Sequence, residues 1–234
     1  MHAQVHSANA DLTNLAVLHG LGRQASSNIM AISSLQKKAP GETLFADGDE
    51  ADSVFEVVRG VLRLYKLLPD GRRQIVGFLW NGHLLGLAPE RNFIYTAEAV
   101  TEVTVCRYRR AAFERLIDQH PGFARTLLTA ASHELRAAQD QMLLLGRKTA
   151  TEKVASFILM MAEQQGGDDA EGIDVPMSRN DIADYLGLTI ETVCRTLTKL
   201  KRDGLISLST PAHIGICDRE KLEEVAAGGI DSDL

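Results

Sequence analysis

The chain has 234 residues, 45% of them hydrophobic and 5% aromatic, enough for one large domain or two ordinary ones with buried cores. Its net charge of −6 argues against a polyanionic partner unless the basic residues are gathered in one place. Three cysteines, Cys106, Cys194 and Cys217, stand far apart, which argues against a disulfide framework and against closely spaced zinc or iron–sulfur ligands and suits a reducing compartment.

The apolar run at Phe157 (Phe-Ile-Leu-Met-Met-Ala) is far too short to span a bilayer, and the first residues carry no basic stretch followed by an apolar core. A cytoplasmic protein with no membrane contact is expected. Residues 1 to 38 read as an N-terminal arm with a moderately apolar segment from Leu12 to Leu21.

Residues 39 to 120 have a different texture. Short β-rich runs recur at Ser53-Val-Phe-Glu-Val-Val, Val61-Leu-Arg-Leu-Tyr, Gln74-Ile-Val-Gly-Phe-Leu, Tyr95-Thr-Ala-Glu-Ala-Val and Glu102-Val-Thr-Val-Cys-Arg-Tyr. Turn signals separate them at Asp47-Gly48-Asp49, Arg59-Gly60, Pro69-Asp70-Gly71 and Asn81-Gly82. This spacing predicts a small antiparallel roll or barrel. A metal-dependent cupin enzyme is the rival reading, but between Gly41 and Arg110 the only histidine is His83, so no metal site is expected.

From residue 121 to 147 the pattern is helical. Leu128, Ala131, Leu135, Ala138, Met142 and Leu145 follow one another at intervals of 3, 4, 3, 4 and 3. An amphipathic helix packed on its own domain would show apolar residues on one face. The narrow 3.5-residue period favours a coiled-coil seam between two copies of the chain.

Residues 148 to 234 hold a further helix from Thr149 to Gln165, an acidic glycine-rich loop from Gly166 to Gly172, and the most informative segment, 177 to 202. Ser178-Arg-Asn-Asp181 is a capping box that opens a short helix with Ile182, Ala183 and Leu186 on its buried face. Gly187 suits a turn with positive φ, and Thr189 can cap a second helix buried through Val193, Leu197 and Leu200. The order Ala183, Gly187, Val193 resembles a helix-turn-helix and tells against a generic helical hairpin.

The second helix offers Ile190, Glu191, Cys194 and Arg195 in its first half, the part that reaches base edges. Arg can grip guanine through O6 and N7, and Glu can accept from the cytosine amine. Glu191 and Arg195 could equally form a surface ion pair, and the two roles are compatible. Ser178, Arg179, Thr189, Thr192, Thr198, Lys199 and Lys201 are candidate phosphate contacts, though for any one lysine a solvated role fits as well. Residues 189 to 203 carry four bases and two acids, a local +2 in an acidic protein. Two short strands around Thr210-Pro-Ala-His213 predict a wing, Arg219 to Ala226 a closing helix, and Gly228 to Leu234 a disordered tail. Cys194, exposed beside Arg195, has the setting of a redox-sensitive thiol, or else simply replaces serine as a small contact residue; Cys106 and Cys217 read as packing residues.

This order of a β-roll, a long heptad helix and a winged helix-turn-helix resembles the CRP/FNR superfamily of bacterial transcription regulators over residues 40 to 225. The run Met177-Ser-Arg-Asn-Asp-Ile-Ala-Asp-Tyr-Leu-Gly-Leu-Thr-Ile-Glu-Thr-Val-Cys-Arg-Thr-Leu is similar to the FixK-like branch. The resemblance implies an α+β fold with a cyclic-nucleotide-binding-like roll, and a homodimer on double-stranded DNA at a palindrome of the TTGA–N6–TCAA type. It also implies recruitment of RNA polymerase and control of genes for low-oxygen respiration, denitrification or nitrogen fixation. The family's groove-reading Glu and Arg fall on Glu191 and Arg195, with Cys194 where Ser or Gly is usual.

Two departures bear on the signal. No cysteine precedes Cys106, so an N-terminal iron–sulfur cluster is not expected. The stretch Gly82-His-Leu-Leu-Gly-Leu-Ala-Pro-Glu-Arg-Asn lacks the Gly-Glu and Arg-Ser constellation that holds a cyclic nucleotide, and leaves Arg91 as a lone charge. An effector-independent regulator without a cofactor is expected; a cyclic-nucleotide sensor of the same fold is the alternative.

Overall fold

In the computed structural model the described residues are Ile29, 33 to 88, 90 to 166 and 172 to 229. The expected apolar segment from Leu12 to Leu21, the middle of the acidic loop and the end of the expected tail lie outside them. The chain divides into two compact units, Met1–Glu134 and Leu135–Leu234.

The first unit is built on eight strands: β1 (Ser33–Lys38), β2 (Thr43–Phe45), β3 (Ser53–Arg59), β4 (Leu62–Leu67), β5 (Arg73–Leu79), β6 (Leu84–Leu85), β7 (Thr96–Ala99) and β8 (Val103–Arg109). They form two four-stranded sheets in the orders β1-β8-β3-β6 and β2-β7-β4-β5, with antiparallel pairing throughout. The roll starts earlier than its sequence pattern. Ser33 pairs with Tyr108 and Lys38 with Val103, so the last six residues assigned to the arm are a full strand. The Pro69-Asp70-Gly71 turn joins β4 to β5, with Gly71 at φ +85° and its N–H donating to the Leu68 carbonyl at 2.9 Å.

Strand alternation sends successive side chains to opposite faces and builds two cores. Phe55 and Val57 join Phe45, Leu62, Leu79, Phe93 and Val105 in one. Phe45 stacks on Phe93 at 3.7 Å and on Phe55 at 5.7 Å between ring centroids. Val54, Cys106 and Tyr108 form the other with Phe113 and Leu116 of α1 (Arg110–Gln119) and Phe123 of α2 (Pro121–Arg147). Each such aromatic or large aliphatic residue contributes about 1.5–3 kcal/mol by leaving water. Helix α1 is absent from the sequence reading, although Phe113, Leu116 and Ile117 carry the i, i+3, i+4 signal. The buried Glu56 carboxylate accepts a hydrogen bond from the Tyr108 hydroxyl at 2.9 Å.

Helix α2 has 27 residues, about 40 Å at 1.5 Å per residue. Every residue from 131 to 140 is exposed. Its second half belongs to the C-terminal unit, which therefore begins before residue 148. That unit continues with α3 (Ala150–Gln165), β9 (Ile173–Asp174), α4 (Arg179–Leu186), α5 (Ile190–Arg202), β10 (Ile206–Thr210), β11 (His213–Ile216) and α6 (Arg219–Ala226). Strands pair in the order β10-β11-β9, one more than the two-stranded wing expected. Val154, Phe157, Ile158, Ile182, Leu186, Val193, Leu197, Leu200 and Leu222 are among its buried apolar residues. Within this unit the end of α2 packs on α4 and its turn: Gln141 Nε2 donates to the Tyr185 carbonyl at 2.9 Å, and Leu145 stands 3.5 Å from where a Cβ on Gly187 would lie.

Candidate nucleic-acid interface

The helix-turn-helix forms through local chemistry. Ser178 caps α4 by accepting the Asp181 N–H at 3.1 Å, while Asp181 Oδ2 accepts the Ser178 N–H at 3.1 Å. Loss of such a cap costs about 1 kcal/mol. Gly187 ends α4 at φ 62°, ψ 42°, and Leu188 N–H reaches back to the Ala183 carbonyl at 3.0 Å. Thr189 then caps α5 by accepting the Thr192 N–H at 3.2 Å.

At 100° per residue, Val193, Thr196, Leu197 and Leu200 cluster on one side of α5, and all four are buried. Glu191, Cys194, Arg195 and Thr198 lie on the other side and are exposed, as is Ile190. Arg202, which the sequence reading counted among the local bases without an interface role, falls on the same line two turns beyond Arg195; its Nε bonds Asp203 Oδ1 at 3.1 Å. Glu191 and Arg195 form no ion pair with each other. The N-terminal turn of α5 lowers the Glu191 pKa, through its own backbone N–H first and the Thr189 hydroxyl second, and keeps it an ionised acceptor.

The other candidates divide. Lys201 is exposed, and Thr192 and Lys199 are half-buried at the edge of the reading face. The hydroxyls of Ser178, Thr189 and Thr198 already serve the backbone or a cap; Thr198 Oγ1 donates to the Cys194 carbonyl at 2.9 Å. Arg179 Nη2 donates to the Pro211 carbonyl of the wing turn at 2.9 Å. In the wing, His213 Nδ1 and Asp174 Oδ1 are 2.9 Å apart.

The roll interior is filled by the Phe45, Phe55 and Phe93 stack. Arg91 is exposed at an open cavity of about 700 Å³, where Glu50, Asp52, Glu90 and Glu114 outnumber Arg91 and Arg110. This excess of carboxylates disfavours a cyclic phosphate. His83 Nδ1 accepts the Trp80 N–H at 3.1 Å, and among the described residues no group of three or more His, Cys, Asp or Glu is arranged to hold a metal.

Residues 152–225 match the model of the Crp-like helix-turn-helix domain and residues 35–120 that of the cyclic nucleotide-binding domain. The transcriptional activatory protein AadR of Rhodopseudomonas palustris is 42% identical over 217 residues, covering 91% of this chain and 90% of that protein. The chain belongs to the CRP/FNR family of transcription regulators. The nitrogen fixation regulation protein FixK of Bradyrhizobium diazoefficiens is 47% identical over 191 residues, covering 80% of this chain and 79% of its own length. The structure of FixK2 from Bradyrhizobium japonicum superimposes with a TM-score of 0.78 at 38% identity, covering 83% of this chain and 97% of that one. Membership makes this chain a DNA-binding regulator and not an enzyme.

One detail of this CRP/FNR regulator differs from the sequence reading. Cys217 is exposed rather than packed: Ile214 and Ile216 take the buried positions of β11, and Cys217 lies just past the strand end. Leu143, outside the seam, is 62% exposed. Cys194 is exposed and free, and Cys106 is buried, with burial pushing its thiol pKa up. Among the described residues no helix is long and apolar enough to cross a membrane.

Proposed function

We propose that the protein is a cytoplasmic, homodimeric transcription activator that reads a palindrome of the TTGA–N6–TCAA type and recruits RNA polymerase. Its targets are genes of low-oxygen respiration, denitrification or nitrogen fixation, the last in keeping with the names of its FixK relatives. The observation that carries this reading is the exposed face of α5, where an ionised Glu191 and Arg195 stand side by side over a fully buried opposite face. Arg195 grips guanine, Glu191 accepts from cytosine, Cys194 and Ile190 complete the surface, and Thr192, Lys199 and Lys201 approach phosphates. The bare stripe on α2 supports pairing of two copies, which sets two reading heads about 34–36 Å apart, one DNA turn. The packed roll interior and the acidic cavity support action without a small-molecule effector.

Fluorescence anisotropy with a palindromic duplex and a duplex scrambled in both half-sites tests this. Arg195→Ala costs about 1–3 kcal/mol per half-site and relaxes choice at the G position. An Arg195→Ala protein with unchanged sequence preference refutes the assignment.

A further inference from the structure

Arg179 is the first residue of α4, where a cation meets the positive end of the helix dipole. A side chain tolerated there is held by something else. Its Nη2 crosses to the Pro211 carbonyl, 32 residues away in the turn between β10 and β11. Its Nη1 is fully buried with no hydrogen-bond partner, although the side chain as a whole is only half-buried. Burial lowers the Arg179 pKa from the ordinary guanidinium value. The guanidinium thus bridges the start of α4 and the wing turn.

The wing turn is held at the neighbouring residue as well. The Ala212 carbonyl, next to Pro211, accepts the Val175 N–H at 2.8 Å, and Ala212 N–H is held by Thr210 Oγ1 at 3.3 Å. A guanidinium with one Nη on a carbonyl and the other enclosed is poorly placed to meet a phosphate. The exposed Arg195 is the contrast in the same domain.

We propose that Arg179 is a positioning residue that pins the wing to the reading head and sets the spacing between the two, in place of a phosphate contact. The functional part of this rests on the DNA-reading assignment above; the tether itself does not.

Amide hydrogen exchange of the full chain without DNA tests the tether, with anisotropy on the palindromic duplex alongside. In Arg179→Met, which keeps bulk and loses every donor, exchange at Ala212 and Val175 rises on the order of tenfold while the core amide of Ile158 is unchanged. Arg179→Lys keeps the charge a phosphate needs, but its strongly hydrated ammonium does not hold the enclosed slot, so wing exchange rises there too. Wing exchange at the wild-type rate in either folded variant overturns the proposal. A salt dependence shallower by about 0.9 per half-site would then mark Arg179 as a phosphate contact. If the wild-type chain bound no duplex, the DNA-reading assignment would fail while the exchange result still decided the tether.

Discussion

Leu135 lies at the middle of the seam on α2 and is 61% exposed in the single chain. Full burial of a leucine contributes about 1.5–3 kcal/mol, so covering the exposed part against a second copy contributes about 1–2 kcal/mol. A two-fold seam counts this residue twice. Leu135→Ala should therefore weaken the dimer by about 2–4 kcal/mol, which raises its dissociation constant roughly 30- to 1,000-fold. Alanine is the best helix former, and residues 131 to 140 are all exposed, so the single chain keeps its helix and its fold. Sedimentation velocity across a concentration series measures the constant, and far-ultraviolet circular dichroism checks the fold. Leu143→Ala is the internal control: it removes an equally exposed leucine (62%) from the same helix but outside the heptad line. A dimer unaffected by Leu135→Ala, or weakened as much by Leu143→Ala, would refute the seam.

Peroxide should abolish binding to the palindromic duplex, because oxidation adds bulk and negative charge at Cys194 on the reading face, and Cys194→Ser should resist it; equal sensitivity of the two proteins in anisotropy removes the switch. Burial raises the Tyr185 pKa to about 12 from the ordinary 10.0, so the neutral phenol's contribution is complete below pH 10 and is lost as pH rises through about 12. The shift corresponds to about 3 kcal/mol. Urea unfolding of Tyr185→Phe between pH 9 and about 12 should show a shallower decline than wild type, and parallel curves would mean that Tyr185 does not resist ionisation.

The parts of this fold that were legible in the sequence are those whose causes are local. The Ser178–Asp181 box, the left-handed Gly187 and the spacing of Val193, Leu197 and Leu200 act within a few residues of one another, and each stands where its pattern places it. Strand β1 has no such signature. Ser33-Ser-Leu-Gln-Lys-Lys38 is mostly polar, places only Leu35 against the core, and is a strand because β8, some seventy residues on, offers an unpaired edge. Strand β9 is two residues long and exists only as the partner of β11. The same distinction governs the interface. The reading face of α5 follows from helical periodicity, so Glu191 and Arg195 could be named from their spacing. Arg179 could not be sorted that way, since its partner at Pro211 becomes a neighbour only once the wing has folded back. Its charge made it resemble every other phosphate-seeking base. Burial, which no local pattern encodes, separates a side chain held by its own protein from one left open to meet DNA.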